Sequence, residues 1–240
     1  MPYLWSFYAL NKYITFNDRI SEIEDILRSP ISTSIYEFNE TINGHEANSA
    51  YSRIELDYDI EDSQSKFIVV GKKECKVPMI LAYSGNHENI GSAFVDWLKS
   101  ELAVVVWPIS ISKDMMIKIS DAVVLPGNPL YEFEDYKWFN TKFLFDVDTT
   151  GGNLRKLEVE ILKDSCMKLS KNSRLPYSEA IIPYVYYQTG MKVLELPLTS
   201  ISFTGYLKIS EEGIIAVAFS LKNKILTTIL TQSQPTQIER

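Results

Sequence analysis

Two apolar runs on either side of a lysine-rich turn form the clearest hydrophobic pattern in the chain. The runs are Phe67–Val70 and Val77–Tyr83, and Gly71–Glu74 between them is typical of a hairpin turn. A helical spacing of apolar residues follows, with Phe94 and Trp97 on its apolar face. Almost none of these residues could take part in chemistry. The pattern therefore predicts a structural core, with two paired strands and a helix, rather than an active site.

Helical spacing recurs at several other positions. Asn17, a residue type that caps helix N-termini, precedes a repeat of isoleucine and leucine that Pro30 ends. Pro183 counts against a regular helix in the segment that Gly190 would close. The predicted helices cover 18–28, 92–103 with Ser92 as its cap, a segment that opens at Ser112 or Asp114, 164–170, and 177–188.

Strand patterns occupy most of the remaining chain. In Ile54–Ile60, apolar residues alternate with Glu55, Asp57 and Asp59, which is typical of a strand with one face in water. The other predicted strands cover 3–10, 104–111, 138–147, 154–162, 194–206, 214–219 and 225–232, and the segments 39–50, 84–91 and 126–136 are predicted loops. We therefore predict an α+β fold with a largely antiparallel sheet and a few flanking helices.

The chain of 240 residues is long enough for one broad domain or two small ones. We place a soft boundary near Asp148–Asn153, in a glycine-containing turn. This boundary divides an N-terminal α/β portion, 1–150, from a mostly β C-terminal portion, 151–240. The alternative is one continuous domain.

The segment Lys224–Gln232 is predicted to be a strand that is apolar on both faces. Such a strand invites aggregation at a sheet edge unless another chain pairs with it, and strand addition by a partner would satisfy its backbone. A fully covered interior strand is the alternative. The predicted partner interface comprises Lys224, Ile225, Leu226, Thr227, Thr228, Ile229, Leu230 and Thr231.

The composition is that of a globular protein, because 45% hydrophobic residues is too high for disorder. No apolar run approaches the roughly 18 residues of a membrane span, and the N-terminus lacks the features of a secretion signal. Cys75 and Cys166 lie far apart without a C-x-x-C spacing. We expect them to be buried thiols in a reducing compartment.

The net charge of −7 is concentrated at the start of the chain. Residues 1–65 contain twelve acidic and four basic residues, which gives −8, whereas the remaining residues contain nineteen acidic and twenty basic residues, which gives +1. An acidic portion repels phosphate, while the later portion has local basic clusters that include Lys168, Lys171 and Arg174. Because useful DNA affinity needs several charges on one face, both a solvated surface and a weak or assisted DNA contact remain open.

Residues suited to catalysis are sparse. His45 and His87 lie in predicted loops without a rigid frame for acid–base chemistry, and the cysteines and histidines lack zinc-site spacing. The calcium-loop-like start at Asp146 fails because its twelfth position is Leu157. No nucleophile elbow, phosphate loop or dinucleotide fingerprint occurs. We therefore predict no catalytic residue, no cofactor and no metal.

Several blocks of the chain together resemble the centromere protein L family, in particular its fungal branch. The resemblance runs in order from Met1–Phe7 through 65–71, 76–83, 97–109, 116–122 and 138–139 to Ala180–Ser200 (AIIPYVYYQTGMKVLELPLTS). These motifs are structural rather than catalytic, so they identify a family better than a site. The segments 39–50, 84–91 and 126–136 and the tail beyond Gln232 diverge, so contacts made by them do not transfer.

The resemblance implies a non-enzymatic inner-kinetochore scaffold that is located in the nucleus at the centromere and supports chromosome segregation in mitosis and meiosis. Such proteins form a heterodimer with centromere protein N through strands near their C-terminal ends, and a homodimer when that partner is absent. The pair belongs to the constitutive centromere-associated network, near the centromeric nucleosome and its DNA. The implied fold is an α/β body with a curved antiparallel sheet, similar to that of a bacterial recombination-associated DNA-binding protein.

Three hypotheses follow for the function. The first is a scaffold that pairs with a centromere protein N-like subunit through 224–231. The second is a stand-alone DNA-binding protein with Lys168, Lys171 and Arg174 facing DNA, although the net charge of −7 argues against it. The third is an enzyme of unrecognised class.

Overall fold

A computed structural model describes most of the chain, namely residues 3–12, 14, 16–28, 30–42, 45–60, 63–72, 80–84, 88–124, 140–147, 156–172, 176–190, 192, 195–216 and 223–232. The strands are β1 (Tyr3–Leu10), β2 (Ile31–Ile42), β3 (His45–Ile60), β4 (Ser63–Lys72), β5 (Ile80–Ser84), β6 (Val106–Pro108), β7 (Thr141–Asp146), β8 (Lys156–Ile161), β9 (Leu198–Phe203), β10 (Leu207–Ser210) and β11 (Gly213–Ala216). The α-helices are α1 (Ile20–Leu27), α2 (Glu88–Leu102), α3 (Lys113–Val124), α4 (Lys163–Asn172), α5 (Tyr177–Thr189) and α6 (Asn223–Gln232). The predicted α+β class, with largely antiparallel strands and a few flanking helices, is confirmed.

The chain divides into two compact units. The terminal unit contains Tyr3–Ser110 together with Phe219–Arg240, and the central unit contains Ile111–Ala218. The boundary predicted near 148–153 lies outside the described residues, so the division into 1–150 and 151–240 stays a prediction. None of the described helices is long and apolar enough to cross a membrane.

The terminal unit is built on an antiparallel sheet with the strand order β2–β3–β4–β5–β1, and β6 pairs with β1. The register places Phe67 of β4 opposite Tyr83 of β5, and the two ring centroids are 4.7 Å apart. On the same face, the centroids of Phe67 and Phe94 of α2 are 4.4 Å apart. The predicted pairing of the two apolar runs and the predicted apolar face of the helix are therefore confirmed.

Helix α2 starts earlier than the sequence indicated. It begins at Glu88, so Ser92 lies inside it rather than at its cap, and the predicted loop 84–91 is partly helix. Gly91 lies in the first turn of this helix, and a Cβ atom at this position would come within 2.8 Å of the Tyr83 ring. Glycine weakens a helix by about 1 kcal/mol relative to alanine, but here it permits close packing of the first turn on β5.

Helix α1 also begins differently from the prediction. A 3₁₀ turn, Asn17–Arg19, precedes it, and the N-cap residue of that turn is Phe16 rather than Asn17. The carbonyl of the buried Phe16 accepts a hydrogen bond from the Arg19 N–H at 2.9 Å. Burial of the Phe16 ring thus sets where the chain turns into the helix.

The segment predicted as a terminal strand, Lys224–Gln232, belongs to helix α6. This is the main correction to the sequence analysis. Ile225, Leu226, Ile229 and Leu230 are all at most 3% exposed, and α6 contacts β2, β4 and β5. These four positions follow the i, i+1, i+4, i+5 spacing of one helix face. The buried residues therefore repeat every 3.6 residues, as in a helix, and not every two residues, as in a strand. The β-branched composition of the segment favoured a strand, but burial of one continuous stripe outweighs that weak preference.

Helix α6 lies on the sheet face opposite α1 and α2. Neighbouring strand residues point to opposite faces. Phe67 and Val69 belong to the cluster that packs against α1 and α2, whereas Ile68 and Val70 are fully buried but do not belong to it. The contacts of α6 with β4 and its neighbours place it over Ile68 and Val70. The terminal unit therefore has three layers, with helices on both faces of the sheet.

The segment 39–50, predicted as a loop, is mostly strand. β2 runs to Ile42 and β3 begins at His45, with a register shift between Asn39 and Thr41. Residues 43 and 44 lie outside the described part of the chain. The N–H and C=O groups of β2 and β3 bond to each other across the hairpin. The two strands can therefore continue into this segment although its side chains are polar.

The face of β3 that was predicted to be wet is buried at Glu55, which is 7% exposed. The Lys66 Nζ donates to the Glu55 Oε2 at 2.6 Å and lies 3.0 Å from the Asp57 Oδ1, and Arg53 also pairs with Glu55. Strand alternation correctly grouped the acidic residues but could not reveal that bases on the same sheet face neutralise Glu55.

This ion cluster affects the protonation of Lys66. Burial alone would lower the pKa of Lys66, but the hydrogen bonds and charges of Glu55 and Asp57 outweigh it and raise the pKa above 10.5. Because the pKa of Lys66 is higher in the folded state than its usual value of 10.5, the charged lysine stabilises the folded state. This stabilisation is complete below pH 10.5 and is lost as the pH rises through the raised pKa.

The central unit has an antiparallel sheet with the strand order β11–β10–β9–β7–β8. The predicted hairpin 138–147 with 154–162 is confirmed as β7 and β8, and its turn lies outside the described residues. Two predicted strands are shorter than expected, since 104–111 reduces to β6 and 194–206 reduces to β9. The sequence analysis also missed β10, which pairs with both β9 and β11.

The helices of the central unit agree well with their predicted ends. The Met115 N–H donates to the Ser112 Oγ at 3.3 Å, so Ser112 is the cap of α3. Gly190 has φ 70° and its N–H donates to the Tyr186 carbonyl at 2.7 Å, as a left-handed C-cap does. Pro183 is accommodated inside α5. Helices α4 and α5 contact each other, and α3 contacts both α5 and β9.

The helical burial of α6 predicts the cost of truncating its side chains. Leu226→Ala and Ile229→Ala should each lower the free energy of unfolding by about 2–5 kcal/mol, because each leaves a cavity in the core. Gln232→Ala, on the exposed end of the same helix, should change it by less than about 0.5 kcal/mol. Urea unfolding followed by circular dichroism measures these values. A large effect at position 229 with a negligible effect at 226 would instead indicate strand alternation.

The Glu55 cluster predicts unequal effects for two neighbouring acidic residues. Glu55→Gln should destabilise the protein by about 3–5 kcal/mol, because it leaves buried cations without their shared carboxylate. Asp57→Asn is the matched control, and its side chain is 41% exposed, so its effect should stay within about 1 kcal/mol. Equal effects of the two substitutions in urea unfolding would contradict this account.

Candidate functional site

The residues that were predicted to form a partner interface are mostly inside the terminal unit. Ile225, Leu226, Thr227, Ile229 and Leu230 of α6 are buried, while Thr228 is half-buried and Thr231 is exposed. The side chain of Lys224 lies outside the described set. The segment is a helix and not the predicted strand, so the predicted strand addition is not supported by its conformation, while its membership of a partner interface stays a prediction.

The three basic residues that were predicted to face DNA are only partly brought together. Lys168 is exposed on α4, and Cys166 of the same helix is buried, as expected for that cysteine. Lys171 belongs to the same helix, three residues after Lys168. Arg174 lies outside the described residues.

Residues with possible chemical roles have structural partners. Asp121 accepts hydrogen bonds from the Ser178 N–H at 2.7 Å and from the Ser178 Oγ at 2.8 Å, so it caps the start of α5. Burial raises the pKa of Asp121, and the bonds from Ser178 act in the opposite direction. Within the described ranges, no group of three or more His, Cys, Asp or Glu is placed to hold a metal ion.

The structure describes little of the two histidines that were predicted to lie in loops. His45 is the first residue of β3, and nothing is described of its side chain, whereas His87 and Cys75 lie outside the described residues.

An apolar cleft in the central unit is too small for a ligand. Its volume is about 20 Å³, which is enough for a single water molecule, whereas ligand pockets measure about 300–1,000 Å³. The Nζ of Lys113, at its rim, donates to the Leu196 carbonyl at 3.1 Å. The cleft is lined by Lys113, Ile117, Phe143, Phe145, Ile181, Ile182, Val185 and Leu198.

One edge of the sheet in the central unit is formed by β8. β8 ends the strand order of that sheet and pairs with β7, from Thr141 opposite Ile161 to Asp146 opposite Lys156. In the part of the chain that the structure describes, no strand pairs with its other side. Among the described residues, its outer N–H and C=O groups therefore have no strand partner.

An exposed leucine adjoins this edge. Leu162 directly follows β8 and is 61% exposed. Its carbonyl accepts hydrogen bonds from the N–H groups of Ser165 and Cys166, both at 3.0 Å, so the residue stands where α4 begins. Tyr186 and Tyr187 on α5 are also exposed, at 52% and 85%. Of these residue types, tyrosine is the one enriched at the energetic centres of protein interfaces.

The solvent face of β8 is charged in a regular way. Lys156, Glu158 and Glu160 are exposed, and the Nζ of Lys142 on β7 lies 2.9 Å from a Glu158 oxygen and 3.5 Å from a Glu160 oxygen. These two acidic residues raise the pKa of Lys142. The alternation of charged and apolar residues in KLEVEI indicates a strand with one charged face. That this strand lies at the edge of the sheet is shown only by the folded structure.

The comparisons with known proteins agree over almost the whole chain. The model of the IML3 family matches residues 1–231. A protein of Saccharomyces cerevisiae described as "Inner kinetochore subunit IML3" is 35% identical over 243 residues, which cover 98% of this chain and 98% of that protein.

Matches of this extent identify the role of the chain in general terms. Proteins of this family are structural scaffolds and not enzymes, and they act in the nucleus at the centromere, where the kinetochore supports chromosome segregation. The resemblance to a fungal inner-kinetochore family that the sequence analysis described is thus confirmed. The chain belongs to the IML3 family of inner-kinetochore subunits.

Proposed function

We propose that this chain is the scaffold half of an inner-kinetochore pair and that it binds a centromere protein N-like subunit by strand addition at β8. The observation that carries the proposal is the outer side of β8, which no strand among the described residues covers. The family resemblance implies a pairing through strands near the C-terminal end. β8 lies earlier, at the start of the predicted C-terminal portion 151–240, so the choice of β8 rests on its edge position. The proposed site replaces the segment 224–231, which is a buried helix.

Three features of β8 suit a specific partner. The backbone supplies main-chain hydrogen bonds to an added strand, which give affinity without sequence preference. Leu162 supplies an apolar anchor next to that strand. The charges of Lys156, Glu158 and Glu160 favour a complementary strand and select its register, since like charges placed opposite each other are destabilising.

The same charges make self-association the weaker alternative. In an antiparallel pair of two β8 strands centred on Glu158, Lys156 of each copy lies opposite Glu160 of the other. These two pairs attract, whereas the two Glu158 side chains face each other and repel, so self-pairing forms but is weaker than pairing with a fully complementary strand. We therefore propose that a homodimer forms through this edge when the centromere protein N-like subunit is absent, and that the subunit displaces it.

The proposal predicts that Leu162→Asp weakens the heterodimer. A buried charge at an apolar anchor should reduce the affinity by about 30-fold or more, equivalent to about 2 kcal/mol. The fold should survive, because aspartate is a favoured residue at the helix N-terminus where Leu162 stands. Co-expression with the partner, size-exclusion chromatography and calorimetry measure the effect.

The matched control is Val105→Asp in the terminal unit, where Val105 is 56% exposed. This variant should pair normally. Unchanged pairing of Leu162→Asp, or an equal loss in both variants, would refute the assignment of β8. Deletion of 223–232 is not a clean test, since it removes buried core residues.

A weaker second candidate is a DNA backbone contact through α4. The helix contains Lys163, Lys168 and Lys171 but only one acidic residue, Asp164. The side chains of Lys163 and Lys168 are exposed. This cluster is small, so we propose an assisted contact made by the assembled pair rather than stand-alone DNA binding.

The DNA contact predicts a change in salt dependence. Lys168→Glu together with Lys171→Glu should weaken DNA binding by the pair and reduce the slope of log K against log salt by about 2, because each phosphate contact contributes about 0.9. The control with the same charge change is Lys118→Glu with Lys192→Glu. Anisotropy titrations at several salt concentrations that show the same slope for both double variants would exclude this contact.

A further inference from the structure

We propose that the outer edge of β2 is a second docking surface, which binds an extended lysine- and arginine-rich segment of another protein by strand addition. This surface lies in the terminal unit and is distinct from the β8 edge of the central unit. It therefore extends the function beyond pairing with one partner.

The backbone of β2 offers a long template. β2 contains 12 residues and stands at the end of the sheet order in the terminal unit, where β3 is its sole strand partner among the described residues. The pairing with β3 is regular from Ile31 opposite Tyr58 to Asn39 opposite Ala50, where the register shifts. The regular part is about 27 Å long at about 3.4 Å per residue, enough for a peptide of eight or nine residues.

Natural proteins protect such edges, but β2 has few of the usual devices. Its charged residues are Glu37 and Glu40, and the Ile31 N–H at its start already donates to Glu24. No Lys, Arg or Pro occurs between Ile31 and Ile42, and the register shift affects only the far end. Ile35 is 52% exposed although the residue opposite it, Ile54, is buried in the core. An unprotected edge with an exposed isoleucine is expected where a partner covers it.

The charge around β2 indicates which partner fits. Residues 18–42 contain six acidic residues and two basic ones, which gives −4. Helix α1 packs beside β2, and the Ile31 N–H donates to the Glu24 Oε1 at 3.1 Å. Asp18, Glu22 and Asp25 are exposed. Such a surface attracts a basic peptide, and it repels nucleic acid.

The same argument excludes a second copy of this chain as the occupant. Pairing two β2 edges would bring two surfaces of −4 together, and like charges oppose association. An extended basic segment can form hydrogen bonds with the β2 backbone, cover the exposed Ile35 and pair its charges with the surrounding acidic residues. Basic tails of this kind can adopt a strand only when a template orders them.

The experiment uses the full-length chain in complex with its partner subunit and three fluorescent peptides of about twelve residues, matched to the length of β2. The first alternates lysine with valine and threonine, the second has glutamate in place of lysine, and the third has proline at alternate positions of the lysine peptide. The lysine peptide should bind best in anisotropy titrations, because only it combines positive charge with strand formation. Hydrogen exchange of the amides in Ile31–Phe38 should slow when it binds.

A variant tests the site directly. Ile35→Lys adds a charge to the edge at an exposed position and should weaken binding of the lysine peptide by at least about tenfold. Val105→Lys, at a similarly exposed position, should bind normally. Equal binding of the lysine and proline peptides, no protection of β2, or normal binding by Ile35→Lys would each overturn the proposal. A change of the oligomeric state by Ile35→Lys alone would instead indicate a contact between copies.

Discussion

The burial of β4 on both faces is the constraint on which the terminal unit depends. Phe67, Ile68, Val69 and Val70 are all 0% exposed. A strand with apolar residues on both faces needs a cover on each side. Helices α1 and α2 cover one face, and α6 covers the other, although α6 comes from the far end of the chain. The C-terminal segment is therefore part of the core and not an accessory to it.

This arrangement accounts for the choice of sheet edges as the proposed binding surfaces. When helices occupy both faces of a sheet, the remaining unsatisfied groups are the N–H and C=O groups of its outermost strand. In the terminal unit that strand is β2, and in the central unit β8 ends the sheet order. A scaffold needs binding surfaces and no reactive groups, and main-chain edges meet that need. The two edges differ in charge, and the two proposals therefore assign them partners of different charge.

Polar residues show the limit of pattern analysis most clearly. The alternation in Ile54–Ile60 correctly predicted a strand and the shared face of Glu55 and Asp57. It wrongly predicted water around Glu55, because Arg53 and Lys66 neutralise that carboxylate on the same sheet face. Lys66 belongs to the neighbouring strand and enters the cluster through strand register alone. The sequence shows which residues are charged, but it does not show which acidic residue pairs with which basic residue.

The sequence by itself determined the fold class, most helices and strands, the structural rather than catalytic character of the chain, and its family. These properties depend on local periodicity, turn residues and the order of apolar blocks, all of which are written along the chain. The tertiary structure decided that 224–232 is a helix, that Glu55 is buried, and that β2 and β8 are edges. Each of these depends on contacts between residues far apart in sequence. A short apolar run fits both a strand and a helix until the surface that buries it is known.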